Sequence, residues 1–417
     1  MTRSVAVLGA GIVGISCALH LAKRGFRVTL VDRREPGSET SFGNSGVVGR
    51  ASIAPLSQPA LWKKLPRYAA NRDRAVRFGP GYPARELGWF VRFLANSRPG
   101  AFDANVRHLN ALLSHALDEH QALLAGDSGL LRRDGWLQLF RTESGFEASA
   151  GTRALWYRHG VRFRILDRDG LRELEPHLGP VFRRAIWLTD IASVADPAQV
   201  CRVLAERFAA EGGNVLRTEA RSVAATGTGV RIGLDDGELH ADEAVVALGP
   251  WSTDLLAPLG YRLPVIRERG YHLHLAPRHN EPLGRPCLDA EGAYVVSPMK
   301  AGLRLTTGIE FSAPDAPPTP VQLESVLPLA REAFPAGGEV ESKPWLGARP
   351  GTPDSLPVIG RAPRHPNLWF AFGHASIGFA LGPATGRLIA QMMSGESPLV
   401  DPYPYAATRF RAFGFGR

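Results

Sequence analysis

From Val5 to Leu8 the chain is continuously apolar, and the next six positions read Gly9-Ala10-Gly11-Ile12-Val13-Gly14. Apolar residues then recur with helical spacing as far as Lys23-Arg24-Gly25, and Phe26-Arg27-Val28-Thr29-Leu30-Val31-Asp32 returns to a strand pattern. The order strand, glycine turn, helix, strand follows, with the first strand covered on both faces of a parallel sheet. The uncharged stretch 4–22 is therefore not expected to be a leader or a membrane anchor. An amphipathic helix is predicted over 103–125 from Val106, Leu109, Leu112, Leu113, Ala116 and Leu117. Pro197, just after Asp196, opens another helix that ends at Glu211-Gly212-Gly213. Strands are predicted over 214–218, 230–234, 244–248 and 368–372, and the last is followed by a loop over 373–378 and a helix over 384–393.

The acid Asp32 stands 23 residues after Gly9, which places the glycine motif in a dinucleotide-binding context. Gly9 permits the tight turn, Gly11 lets a pyrophosphate approach the backbone, and Gly14 lets the helix pack closely on the strand. Ile12 and Val13 open that helix, whose unpaired amides and dipole favour an anion. Asp32 is placed for ribose hydroxyls and would repel a 2′-phosphate, so the dinucleotide is NAD or FAD. A run of small polar residues, Thr40-Ser41-Phe42-Gly43-Asn44-Ser45-Gly46, can reach a second part of a long cofactor. The strand over 244–248 closes on Gly249-Pro250-Trp251, as expected at the carboxyl edge of a parallel sheet.

At 417 residues the chain exceeds what one core sustains. The expected fold is α/β, with a discontinuous Rossmann-like domain from 1–55, 190–258 and 345–417. A second, α+β substrate or cap domain, built on a mostly antiparallel sheet, takes 56–189 and 259–344. The net charge of +9 comes almost entirely from 44 arginines against five lysines, spread without runs, so no nucleic-acid partner is expected. Cys17, Cys201 and Cys287 lie far apart without metal-ligand or CxxC spacing, which predicts no metal site and a reducing cytoplasm.

With these motifs go Glu39-Thr40-Ser41, Leu137-Gln138-Leu139-Phe140-Arg141-Thr142-Glu143, Glu173-Leu174-Glu175-Pro176, Gly270-Tyr271, Arg349-Pro350 with Thr352-Pro353-Asp354, Asn367-Leu368-Trp369, Gly373-His374 and Gly378. In these residues the chain resembles the FAD-dependent amine oxidoreductases that include D-amino acid oxidase, glycine oxidase, sarcosine oxidase and, nearest in pattern, the catalytic subunit of bacterial D-amino acid dehydrogenase. The resemblance implies FAD, held by Gly9, Gly11, Gly14, Asp32 and Arg33, by the 40–46 loop, and by Gly373, His374, Ser376, Ile377 and Gly378 beside the flavin ring. It also implies a non-covalent flavin, since none of the cysteines lies near Arg349.

Oxidation of an amino acid to an imino acid moves the Cα hydrogen to the flavin, so positioning dominates. The resemblance assigns the substrate carboxylate to Arg349, with Tyr271 hydrogen-bonding the substrate and Tyr294, His374 and Arg304 as further candidates near it. The implied reaction converts D-amino acids to 2-oxo acids and ammonia, with electrons passed to a quinone or another acceptor. D-Proline, hydroxyproline or N-alkyl amino acids are rival substrates, and a tRNA-borne secondary amine or a non-catalytic flavoprotein role are rivals of another kind. Leu61-Trp62-Lys63-Lys64-Leu65 and Trp89-Phe90-Val91-Arg92-Phe93-Leu94 are candidate peripheral contacts with the cytoplasmic face of an inner membrane. Ala348, where the family often has leucine, and Arg267-Glu268-Arg269, where many members have apolar residues, depart from the pattern beside the substrate region.

Overall fold

The computed structural model describes residues 2–413. One sheet has six strands in the order Val358–Arg361, Leu368–Phe372, Glu243–Val246, Ser4–Leu8, Arg27–Asp32, Asn214–Arg217. Five are parallel, and Val358–Arg361 closes one edge antiparallel. The central strand Ser4–Leu8 is buried at every position after Ser4, as its unbroken apolar run requires. The turns 9–11, 247–251 and 373–377 all leave the carboxyl ends of parallel strands, and so converge on one edge.

Helices cover the sheet. Ile12–Ala22 lies against Gly378–Ser394, and an added Cβ at Gly386 would fall 2.4 Å from the Ser16 carbonyl carbon, so the crossing depends on the missing side chain. Asp196 caps the helix Pro197–Ala210 by accepting from the Gln199 amide at 2.9 Å. The amphipathic stretch expected over 103–125 is two helices, Pro99–Leu113 and Ala116–Leu123. The break falls at Ser114, whose hydroxyl donates back to the Ala111 carbonyl at 2.7 Å. Both helices pack on Gly378–Ser394 and share its core through Val106, Leu109 and Leu112.

The second sheet has eleven strands and is mostly antiparallel. Its organiser is the twelve-residue strand Ile266–Pro277, which pairs with Trp345–Gly351, Ile309–Phe311, Gly302–Thr306 and Ala336–Glu339 at different points along its length. Trp345–Gly351, placed by sequence with the nucleotide segments, is thus hydrogen-bonded into this sheet. Side chains alternate across Ile266–Pro277. Tyr271, Leu273 and Leu275 enter a core covered by the helix Val321–Ala333, while Glu268, Gly270, His272 and His274 face the nucleotide side.

Candidate active site

The converging turns enclose a cavity of about 330 Å³, and a second of about 800 Å³ adjoins it. Asn44, Thr306, Arg349 and Ser376 line both, and so form the seam between them.

The first cavity is shaped by backbone. Gly9 has φ +110, and a Cβ there would lie 2.5 Å from the Ala247 carbonyl oxygen. A Cβ on Gly14 would lie 1.8 Å from the Gly9 carbonyl oxygen, which no side chain survives. Gly11, Ile12, Val13, Asp32 and Arg33 line the cavity. The Asp32 carboxylate accepts from the Ala10 and Arg34 amides at 2.6 and 2.9 Å, which ties the glycine turn to the end of the second strand. Arg33 lies over the Trp251 ring, 4.8 Å from its centroid, at the end where Gly249 and Trp251 form the wall.

The 40–46 loop closes the other side. Ser41 Oγ accepts from the Ile12 amide at 3.0 Å, and Thr40 donates to the Ala348 carbonyl at 2.9 Å. Asn44 donates to the Ser376 carbonyl at 3.1 Å, which joins this loop to the one over 373–378. His374, Ser376 and Gly378 line the first cavity, whereas Ser45 and Ile377 line the second. Gly14, Gly46 and Gly373 stand behind the walls: a Cβ at Gly46 would meet the Val194 carbonyl at 2.4 Å, and one at Gly373 would meet Thr352 at 3.1 Å. A tight glycine turn, an acid on the second strand, a helix N-terminus and two loops on one crevice fit an extended dinucleotide.

Arg349 projects from Trp345–Gly351 over the bare backbone of Gly270, where an added Cβ would come within 2.6 Å of its guanidinium. Its hydrogen-bond acceptors are the Gly308 and Thr307 carbonyls, at 3.3 and 3.5 Å. Among the described residues no carboxylate oxygen lies within 4 Å of it. Glu268 is its cross-strand partner, 1 % exposed, and burial raises the Glu268 carboxyl to about 7 although Arg349 pulls the other way. Burial likewise lowers the Arg349 guanidinium, opposed by Glu268.

Three other sequence candidates have their polar ends engaged away from the seam. Tyr271 lines the first cavity, but its ring enters the core on the far side of the strand, where its hydroxyl donates to Glu310 at 3.1 Å and accepts from Arg269 and the Thr319 amide. Tyr294 contributes to the wall of the second cavity, but its ring enters the same far core and its hydroxyl accepts from Arg141 at 3.4 Å. Arg304 is 3 % exposed and donates to the Phe42 and Asn44 carbonyls at 2.6 and 2.7 Å, so it fastens the 40–46 loop and does not touch the seam. Burial pulls its guanidinium down to about 10, still cationic at neutral pH. Behind it His274 Nε2 accepts from Arg304 at 3.0 Å, and His274 Nδ1 meets Glu341. His374 is buried beside Thr385 at 3.0 Å, and burial drives its pKa down to about 3, too weak for a base at neutral pH.

Two residues were missed. Thr306, paired with His272 across the sheet, lines both cavities, and its buried hydroxyl has no hydrogen-bond partner among the described residues. Its signal was the switch from apolar strand to polar pair in Leu305-Thr306-Thr307-Gly308. Trp345 lies on Gly43 and Gly347, where Cβ atoms would fall 2.0 and 1.9 Å from its ring, and it stacks on His272 at 4.7 Å. Only the two facing glycines hinted at it.

The family described as FAD-dependent oxidoreductase, DAO, matches residues 4–392. The chain belongs to this family. This oxidoreductase therefore uses FAD, and its first cavity has the turn, acid and loops to hold it. It is 32% identical to a D-amino-acid oxidase of Bradyrhizobium diazoefficiens, over 98% of this chain and 99% of the relative. It is also 32% identical to a D-amino acid dehydrogenase of Paramagnetospirillum magneticum, with the same coverage of both. Among solved structures, a glycine oxidase of Geobacillus kaustophilus matches the oxidoreductase with a TM-score of 0.72 at 23% identity, over 98% of this chain and 99% of that one. An L-proline dehydrogenase of P. horikoshii matches with 0.73 at 18%, over 99% and 98%. At these identities the structures speak for the fold.

Proposed function

We propose that the chain oxidises D-amino acids, removing the Cα hydrogen with its electron pair and one amine proton, and that the imino acid then hydrolyses to a 2-oxo acid and ammonia. The carrying observation is Arg349 at the seam, whose hydrogen bonds among the described residues are two long carbonyl contacts. A substrate carboxylate offers the bidentate partner that those carbonyls do not. Bound FAD supplies the two-electron acceptor for the Cα hydrogen. The chain's own part is orientation: Arg349 fixes the carboxylate and the Thr306 hydroxyl accepts from the amine. The relatives named for D-amino acids support the D configuration.

Gly9, Gly11, Asp32, Arg33 and the 40–46 loop are assigned to the dinucleotide, held without a covalent bond; no cysteine is among the residues lining either cavity. The nucleotide-holding unit is assigned to 1–55, 190–258 and the part of 345–417 after the Trp345–Gly351 strand. The acceptor is assigned as a quinone reached at a membrane surface. In support, Leu61–Ala69 and Leu87–Asn96 expose Trp62, Leu87 and Val91 beside Lys63, Lys64 and Arg85. Among the described residues no helix is long and apolar enough to cross a membrane.

Anaerobic mixing of the FAD-loaded protein with D- and L-amino acids, sarcosine and proline tests the reaction. Bleaching of the flavin by D-amino acids first is expected; faster bleaching by the L or N-alkyl compounds would overturn it. Co-sedimentation with anionic vesicles, lost in Trp62→Ala, tests the membrane contact, and no sedimentation of the parent protein would remove it.

A further inference from the structure

The second cavity is far larger than a small amino acid needs. An apolar cavity of about 150 Å³ already accepts benzene, whereas this one measures about 800 Å³. It begins at Arg349 and Thr306 and runs beneath the helices Leu61–Ala69 and Leu87–Asn96. Its far walls are Leu65, Tyr68, Phe78, Phe90, Phe93 and Phe311. Phe78 stacks on Phe311 with centroids 5.3 Å apart, and Phe90 meets both edge-on, so this wall is a packed aromatic surface. Among its described lining residues there is no aspartate or glutamate, and the cations are Lys64 and Arg349.

Arg349 lines both cavities, and with the first assigned to the dinucleotide the second is the space left for the side chain of a substrate whose carboxylate it holds. We infer that the oxidoreductase is built for amino acids with large apolar or aromatic side chains. The inference rests on the D-amino acid reading above. A cationic side chain would find no counter-charge there and would lose its hydration. A methyl group would leave the aromatic wall untouched, while a benzyl or isobutyl group buries several more carbons against it. That remote burial is available to lower the barrier at Cα.

The experiment measures anaerobic flavin reduction by D-phenylalanine, D-tryptophan, D-leucine, D-alanine, D-aspartate and D-lysine. Second-order rate constants for the first three are expected to exceed that for D-alanine by about 10- to 100-fold, with D-lysine and D-aspartate slower still. Equal or faster reduction by D-alanine, D-aspartate or D-lysine would overturn the inference while leaving the reaction intact. No reduction by any of them would instead overturn the reaction itself, and the inference with it. Two variants are read as ratios within one preparation, so that partial misfolding cancels. Ala290→Phe, which fills the chamber, is expected to lower the D-phenylalanine to D-alanine ratio about tenfold. Leu65→Glu is expected to raise the D-lysine to D-leucine ratio about tenfold. Unchanged ratios in both would show that the side chain lies elsewhere.

Discussion

The two cavities meet at four residues yet are made differently. The first cavity is formed by backbone, with carbonyls and amides brought close because Gly9 and Gly14 have no side chains. The second cavity is formed by side chains standing on strands and on two helices. A backbone-made site has one solution and no tolerance. A side-chain-made site keeps its frame while its lining is exchanged, which is how a shared fold hosts different substrates.

The contrast breaks hardest at Gly14. Its replacement by alanine forces a Cβ to 1.8 Å from the Gly9 carbonyl oxygen, and a loss of more than about 3 kcal/mol is expected. The soluble yield and the flavin-to-protein absorbance ratio should both collapse; yellow, soluble Gly14→Ala would show that the turn has slack. Next comes Arg349→Lys, which keeps the charge but loses the fork. Its kcat/KM for the best D-amino acid is expected to fall about 10²- to 10³-fold with flavin content unchanged, and unaltered kcat/KM would take Arg349 out of the site.

Tyr271→Phe sharpens the comparison from the other face of the strand. Losing a hydroxyl that serves Glu310, Arg269 and Thr319 should cost about 1–3 kcal/mol of stability. It should leave kcat/KM nearly unchanged, and a large loss of rate at unchanged Tm would return Tyr271 to the substrate.

The last expected effect is in pH, and it vanishes or grows with the pH chosen. Burial lowers His20, His120 and His374 to about 3, 4 and 3, so the unfolded chain takes protons first and stability is lost as pH falls below about 6.5. Glu268 works in the opposite sense. Its folded value of about 7 lies above the ordinary carboxyl value, so the folded chain keeps a proton there and stability falls as pH rises from about 4.5 through 7. Glu268→Gln should match the parent near pH 5 and exceed it near pH 8, by at most about 3 kcal/mol. Denaturant midpoints at the two pH values measure this, and a constant difference would mean that Glu268 does not titrate there.

The same contrast explains what the chain made legible. Gly9, Gly11, Gly14 and Asp32 announce their roles because a backbone turn accepts so few residue types. The direction of the Tyr271 hydroxyl is not legible in the same way, because the face each side chain of Ile266–Pro277 takes is set by pairing with Trp345–Gly351, a partner some eighty positions away. Gly270-Tyr271 pointed to the right strand, and it is the glycine that serves the site by making room for Arg349. Arg304 is a substrate candidate from its strand alone, but its length carries the guanidinium back to the Phe42 and Asn44 carbonyls. Thr306 and Trp345 emerge only when register brings distant strands together.

That grip by Arg304 bears on how the protein recovers its colour. The 40–46 loop is pinned from behind by a residue of the other sheet, itself braced by His274 and Glu341. With the loop fastened in this way, re-entry of the nucleotide into stripped protein should proceed at a speed set by encounter, not by slow ordering of a floppy rim.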